Sequence, residues 1–207
     1  MKNCSDCSTP APAVKARAAN SSPPHSACFI LLLYGAALRI SEALSLTLAD
    51  VDVLAGILTI RESKFYKTRL VPMSPALTSA LKAYMAERAK QASTRPDASL
   101  FLTRNGTPLV RYTAENVFRR IRVRAGVLRH DGGRYQPRLH DLRHATAVHR
   151  LVSWYRQGAD VQQLLPQLAT YLGHLHIAGT QRYLTLTPEL LREASQRFEQ
   201  YARGGQA

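Results

Sequence analysis

Apolar positions in this chain recur mostly at helical spacing, with one short stretch of alternation. Ala27 to Leu38 is almost wholly apolar, and Leu44, Leu46 and Leu48 follow beyond Arg39-Ile40-Ser41-Glu42. The pattern predicts a buried helix running on into an amphipathic one over 26–46. Asp50 and Asp52 mark a turn. Gly56-Ile57-Leu58-Thr59-Ile60-Arg61 has strand composition, and Arg69-Leu70-Val71-Pro72-Met73 reads as its antiparallel partner across a loop. Ser74-Pro75 supplies an N-cap and a first-turn proline for a helix over 75–90, with Leu77, Leu81, Tyr84 and Met85 inside. Residues 91–99 read as a loop. Thr113 is the expected cap of the next helix, with Glu115 in its positive first turn and Ala114, Val117, Phe118, Ile121 and Ala125 as its apolar stripe.

Residues 126–138 form a loop rich in glycine and arginine. A helix is expected from near His140 to about Tyr155. Another starts at Asp160 and buries Val161, Leu164, Leu165, Leu168 and Leu172, with Pro166 expected to kink or split it. Thr187-Pro188-Glu189 opens a last helix striped by Leu190, Leu191, Ala194, Phe198 and Tyr201. No internal repeat is evident. The fold class expected is α+β, mainly α-helical, with a small antiparallel β-sheet. Residues 1–25 are polar and aperiodic and read as a disordered tail, and 204–207 as a flexible C-terminus.

Charge narrows the function. The 207 residues carry 28 Lys+Arg against 14 Asp+Glu, a formal net charge of +14. Such an excess calls for an acidic partner, for which nucleic acid is the commonest choice, although many basic proteins bind polyanions without specificity. From Arg104 to Arg143 there are ten arginines and three acids. Arg119, Arg120, Arg122 and Arg124 lie mostly off the apolar stripe of their helix, which predicts a basic side turned to DNA. The Ala27–Leu38 run is too short for a membrane span of about 20 residues. Cys4 and Cys7 form a lone C-x-x-C with no second pair to complete a zinc site, and a reduced, cytoplasmic protein fits the cysteine usage.

Four separated segments carry chemistry. Arg39 interrupts an apolar run, where a charge is costly unless it is paired or faces a cleft; pairing with Glu42 is the simple account. Lys64, at or near the hairpin of Lys64-Phe65-Tyr66-Lys67-Thr68-Arg69, is either a solvated lysine or a general acid for an oxygen leaving phosphorus. His140-Asp141-Leu142-Arg143-His144 puts a proton carrier and a phosphate fork on one helix face. His140 and His144 also have zinc spacing, but a zincin needs Glu where Asp141 stands, and no third ligand is clear. Leu172-Gly173-His174 ends a helix so that His174 can turn into a site. Tyr183 is one of nine tyrosines. It becomes a nucleophile only beside cations that stabilise a phenolate and a base that takes its proton.

In order and spacing these segments resemble the tyrosine recombinase (phage integrase) family. That family's pattern is an arginine in L-R-x-S-E, a lysine on a β-hairpin before R-L-V-P, then H-x-x-R, then L-G-H, then a tyrosine nine positions on. Here it falls on Arg39, Lys64, His140, Arg143, His174 and Tyr183. The resemblance covers most of 26–203, and His140 to Leu191 is also similar to recombinases of bacterial mobile elements. It implies the family's catalytic-domain fold and an enzyme in which Tyr183 attacks a phosphodiester, forms a 3′-phosphotyrosyl link and frees a 5′-hydroxyl. Arg39 and Arg143 would grip the non-bridging oxygens and His174 would add a hydrogen bond. Lys64 would protonate the leaving oxygen, and His140 would assist at the tyrosine.

No metal, ATP or other cofactor is implied. The implied partners are double-stranded DNA and a homo-oligomer, a tetramer on DNA, docked through the last helix; no membrane is implied. The implied location is the nucleoid of a bacterial cytoplasm. Lys67 and Arg69 join the four helix arginines as expected DNA contacts. Only about 25 tail-like residues precede the catalytic part, so the family's separate N-terminal core-binding domain is expected to be absent. The rival readings are a type IB topoisomerase-like nickase, which shares the chemistry, and a non-catalytic DNA-binding remnant.

Overall fold

The structure is a computed structural model that describes residues 25–63, 67–174, 176, 178–181, 192–193, 195–196 and 199, with backbone only at 25, 62–63 and 67. It is mainly helical, with one three-stranded antiparallel sheet ordered β1-β2-β3. The elements are α1 (His25–Gly35), α2 (Ile40–Ser45), β1 (Val51–Asp52), β2 (Ile57–Ser63), β3 (Lys67–Pro72), α3 (Pro75–Ala89), α4 (Arg111–Arg124), α5 (Leu139–Arg156), α6 (Val161–Leu172) and α7 (Ala178–Gln181). The hairpin register pairs Ile57 with Pro72 and Ile60 with Arg69, then shifts before Ser63 meets Lys67. The expected N-terminal tail up to residue 24, the docking stripe of the last helix and the C-terminal residues 204–207 lie outside the described residues; His25, given to the tail, instead opens α1, and Arg192, Glu193, Ser195, Gln196 and Glu199 of the expected last helix are helical.

Two apolar clusters meet beneath the chemistry. The larger joins α1, α2, the inner face of the sheet, α3 and the segment Leu100-Phe101, with Tyr84 stacked on Phe101. The smaller joins α5 and α6 through Leu151, Val152, Val161, Leu165, Leu168 and Leu172, and takes in Ala37. Tyr171 packs against both and donates its hydroxyl to the Gly35 carbonyl at 3.1 Å. The loop 91–99 is tied down by buried Arg88, which donates to the carbonyls of Leu100, Ser93 and Ser99.

Four expectations need correction. The helix expected over 26–46 is two helices, broken at 36–39. Ala37 takes a left-handed φ of 50°, and Arg39 has extended backbone as the N-cap of α2. The break spares the helix from burying Arg39 in its apolar run, and Glu42 stabilises it by accepting from the Arg39 backbone N–H at 2.9 Å. Helix α4 starts at Arg111 with Val110 as N-cap, so Thr113 is not its cap and Glu115 lies past the first turn. Its entry is set by the bridge between Leu102 and Pro108, which delivers the chain to the helix early.

The buried line of α4 also differs. It runs Ala114, half-buried Phe118 and Arg122 at i, i+4 spacing, while Ile121 and Ala125, expected on the stripe, are exposed. Finally, Pro166 does not split α6, which runs unbroken from Val161 to Leu172. Proline removes one backbone donor, and the carbonyl that loses it belongs to exposed Gln162, where water can replace it.

Candidate active site

The C-terminal end of α6 organises the site. A helix leaves its last carbonyls without helical donors and concentrates partial negative charge there. Here two guanidiniums take up consecutive carbonyls. Arg143 donates through Nη2 to the Leu172 carbonyl, and Arg39 donates through Nη2 to the Gly173 carbonyl at 2.9 Å. Arg143 also donates through Nη1 to the Ala37 carbonyl at 2.6 Å. The strained turn at Ala37 therefore aims a carbonyl at the second arginine. Arg143 is 2% exposed and forms the floor of the cluster, whereas Arg39 is only half-buried.

Gly173 makes this convergence possible in two ways. Its φ of 65° is left-handed, which ends α6 and turns His174 inward. A Cβ at Gly173 would also meet the Arg69 guanidinium at 2.8 Å. His174 thus follows directly on the carbonyl that Arg39 holds. Burial, then Arg143 and Arg39, push its pKa down to about 4, so the ring is neutral at pH 7. Its Nδ1 lies 2.8 Å from the hydroxyl of Thr180.

Glu42 binds the first arginine to the sheet. Its carboxylate accepts from Arg39 Nη1 at 2.7 Å and from Arg69 Nη1 and Nη2 at 3.0 and 2.9 Å. Burial alone would raise its pKa, but the bonds from Arg69 and Arg39 win and hold it at about 2. The simple account of Arg39, pairing with Glu42, is therefore realised, and its other nitrogen is held by the Gly173 carbonyl. Arg69, expected on DNA, is turned inward onto Glu42 by β3. Its Nε is buried and has no hydrogen-bond partner among the described residues.

His140 and His144 lie edge to face, with ring centroids 4.6 Å apart, at the start of α5. Burial, then His144 and Arg143, lower the His140 pKa. Asp141 serves the helix start rather than a metal, accepting from the Arg138 backbone N–H at 2.8 Å. Among the described residues no three His, Cys, Asp or Glu side chains gather to hold a metal ion. Lys64 and Tyr183 lie outside the described residues, as does the side chain of Lys67.

The basic helix α4 divides its arginines. Arg119, Arg120 and Arg124 are exposed. Arg122 is 9% exposed and donates to Gln136 Oε1 at 2.8 Å, which corrects its expected place on the DNA side. Gln136 also accepts from the Arg129 backbone N–H and donates to the Arg129 carbonyl, so it closes the 126–138 loop over Arg122. That loop presents Tyr135 with the guanidiniums of Arg134 and Arg138 at 5.1 and 5.5 Å from its ring.

Gln136, Tyr135, Thr180 and the Arg69–Glu42 link escaped sequence reasoning. The link had a signal, since Glu42 and Arg69 stand in the L-R-x-S-E and R-L-V-P segments. A lone glutamine, tyrosine or threonine in a loop or short helix has none.

Comparison with known proteins gives the family and the fold. Residues 12–189 match the phage integrase family. The chain is 42% identical over 177 residues to "Putative integrase/recombinase y4rB" of Sinorhizobium fredii, covering 83% of this chain and 55% of that protein. It is 35% identical over 162 residues to tyrosine recombinase XerD of Corynebacterium glutamicum, covering 78% and 48%. The chain spans about half the length of these curated relatives. The crystal structure of XerA recombinase superposes with a TM-score of 0.63 at 25% identity, over 84% of this chain and 62% of that one. A Tn1549 transposon integrase in complex with transposon right-end DNA shares the fold, with a TM-score of 0.60 at 21% identity over 86% and 58%. With the arginine and histidine cluster in place at the end of α6, the chain belongs to the phage integrase family of tyrosine recombinases.

Proposed function

We propose that this chain breaks and rejoins DNA strands through a phosphotyrosyl intermediate. The observation that carries the reading is the meeting of Arg39, Arg143 and His174 at one helix end, with Arg39 brought there from more than 100 residues before the other two. Such a cluster of fixed donors suits phosphoryl transfer, which needs positioning and charge stabilisation more than covalent assistance. Tyr183 attacks phosphorus, the bond to the 5′-oxygen breaks, and Lys64 gives that oxygen its proton. Arg39 and His174 meet the non-bridging oxygens at the cluster's mouth. Arg143 exchanges a carbonyl contact for phosphate from the floor. His140 takes the tyrosine proton. The returning 5′-hydroxyl of a partner strand reverses the step. The scheme calls for no cofactor.

The exposed Arg119, Arg120 and Arg124, together with Lys67, hold the DNA backbone by charge. Assembly is as a tetramer on DNA through the segment Leu190 to Tyr201, at the bacterial nucleoid. The test is a nicked duplex offered to the wild-type chain and to Tyr183→Phe, with covalent adducts resolved by denaturing electrophoresis. Wild type is expected to trap DNA and the variant to trap none. An adduct that persists in Tyr183→Phe overturns the nucleophile. No adduct from wild type, with binding that weakens steeply with salt, leaves a DNA-binding remnant. Strand exchange between two duplexes separates a recombinase from a nickase.

A further inference from the structure

Thr180 sits in α7, three residues before Tyr183, and is 0% exposed. Its hydroxyl carries one proton, and a buried donor left without an acceptor is destabilising. His174 Nδ1, at 2.8 Å, is the hydrogen-bond partner of that hydroxyl among the described residues. Were the ring proton on Nδ1, it would point at the threonine oxygen and the threonine's own proton would be stranded. With Nδ1 bare, the threonine donates and both groups are satisfied. A neutral imidazole has one ring proton, so it then sits on Nε2. Gly179 lets α7 pack this closely on the ring, because a Cβ there would meet Nδ1 at 3.3 Å. Arg143, Arg39, His144 and Arg69 are the charged and titratable groups whose fields reach the ring, and all oppose a second proton.

We infer that Thr180 is a positioning residue that fixes His174 as the Nε2–H tautomer, making it a hydrogen-bond donor to the phosphate oxygens and not a base. The inference rests on the phosphoryl-transfer reading above for the identity of the acceptor, and on geometry alone for the tautomer. The short segment that leads to the nucleophile thereby also sets the donor. Docking α7 and orienting His174 become one event.

The experiment pairs nitrogen-15 spectra of the His174 ring with single-turnover adduct formation on nicked DNA. In the full-length wild type the ring proton is expected on Nε2 at pH 7. A proton on Nδ1 overturns the inference. Thr180→Val is expected to slow adduct formation about tenfold or more, short of the 10²–10³-fold loss of a whole donor. Thr180→Ser is expected to stay within about threefold of wild type, since it keeps the hydroxyl. In a His174→Ala background Thr180→Val should add less than about a twofold loss, because the two side chains act as one. A full multiplicative loss there marks a merely structural threonine and overturns the inference. If Thr180→Val fails to fold, the wild-type spectrum and Thr180→Ser decide. If wild type forms no adduct, the phosphoryl-transfer reading fails, and the spectrum alone upholds or overturns the tautomer.

Discussion

Replacing Glu42 by glutamine removes the acid that, among the described residues, joins α2 to the sheet. The side chain is 5% exposed and accepts three guanidinium bonds and one backbone bond. Its pKa falls from 4.5 to about 2 on folding. At about 1.36 kcal/mol per unit this corresponds to roughly 3 kcal/mol at pH 7, at the low end of the 3–5 kcal/mol expected when one partner of a buried ion pair is removed. Glutamine keeps the shape but turns a donor toward a guanidinium where an acceptor stood. For a chain of this size, the melting point should fall by about 6–12 °C.

The sign of the pH dependence is fixed by the depressed pKa. The contribution is complete above pH 4.5 and is lost as pH falls through about 2. Linkage gives a wild-type advantage about 2 kcal/mol smaller at pH 3 than at pH 7, because only wild type titrates there. Urea unfolding of both chains at the two pH values measures the gap. A gap below about 1 kcal/mol at pH 7, or one that does not narrow by pH 3, would refute the reasoning.

Three further outcomes can be measured. Ala37→Gly should stay within about 1 kcal/mol of wild type, because relief of the left-handed φ offsets the lost methyl, whereas Ala43→Gly in α2 should lose about 1.5 kcal/mol or more in the same urea assay. Gln136→Ala should cost about 1–2 kcal/mol through stranded Arg122 and speed amide exchange across 126–138, leaving exchange in α5 and α6 unchanged. His174 ring resonances should titrate near pH 4; the unfolded chain accepts that proton near 6.5, so this group costs stability as pH falls between the two values. Arg143→Met should raise the His174 midpoint, since the second-largest cause of its depression is gone.

The helices and the hairpin were legible because burial on one face imposes a period, and α3, α5 and α6 keep that period clearly. Caps gave boundaries where the side chain itself accepts the hydrogen bond, as at Ser74 and Asp160. They misled at Thr113, where pairing of 101–102 with 108–109 fixes the helix start from outside the helix. The break at Ala37 was illegible because alanine is a good helix former, and only the demands of Arg39 and Arg143 pull it into the left-handed region. The cluster residues Arg39, Arg143 and His174 were legible from their spaced motifs. What holds them was not, because the carbonyls of Leu172 and Gly173 carry no mark in a sequence.

The distribution of arginine shows why charge is a coarse guide to an interface. A net +14 suggests a surface made for polyanions, yet Arg69, Arg88, Arg122 and Arg143 are turned into the protein. Arg69 meets an acid, Glu42, whereas Arg88, Arg122 and Arg143 reach carbonyl or amide oxygens. A guanidinium has five donors in a plane and suits this work, since one side chain can close a loop or hold a turn that would otherwise need several backbone bonds. Arg88 closes 91–100 and Arg122 closes 126–138 in this way. If the proposed function holds, the charge that meets DNA therefore lies on exposed Arg119, Arg120 and Arg124, and on exposed Arg134 beside Tyr135, whereas Arg138 is paired with Asp141. Neutralising Arg120 or Arg134 should lower the salt slope of DNA binding by about one ion each, whereas Arg122→Met should destabilise the fold and leave that slope unchanged.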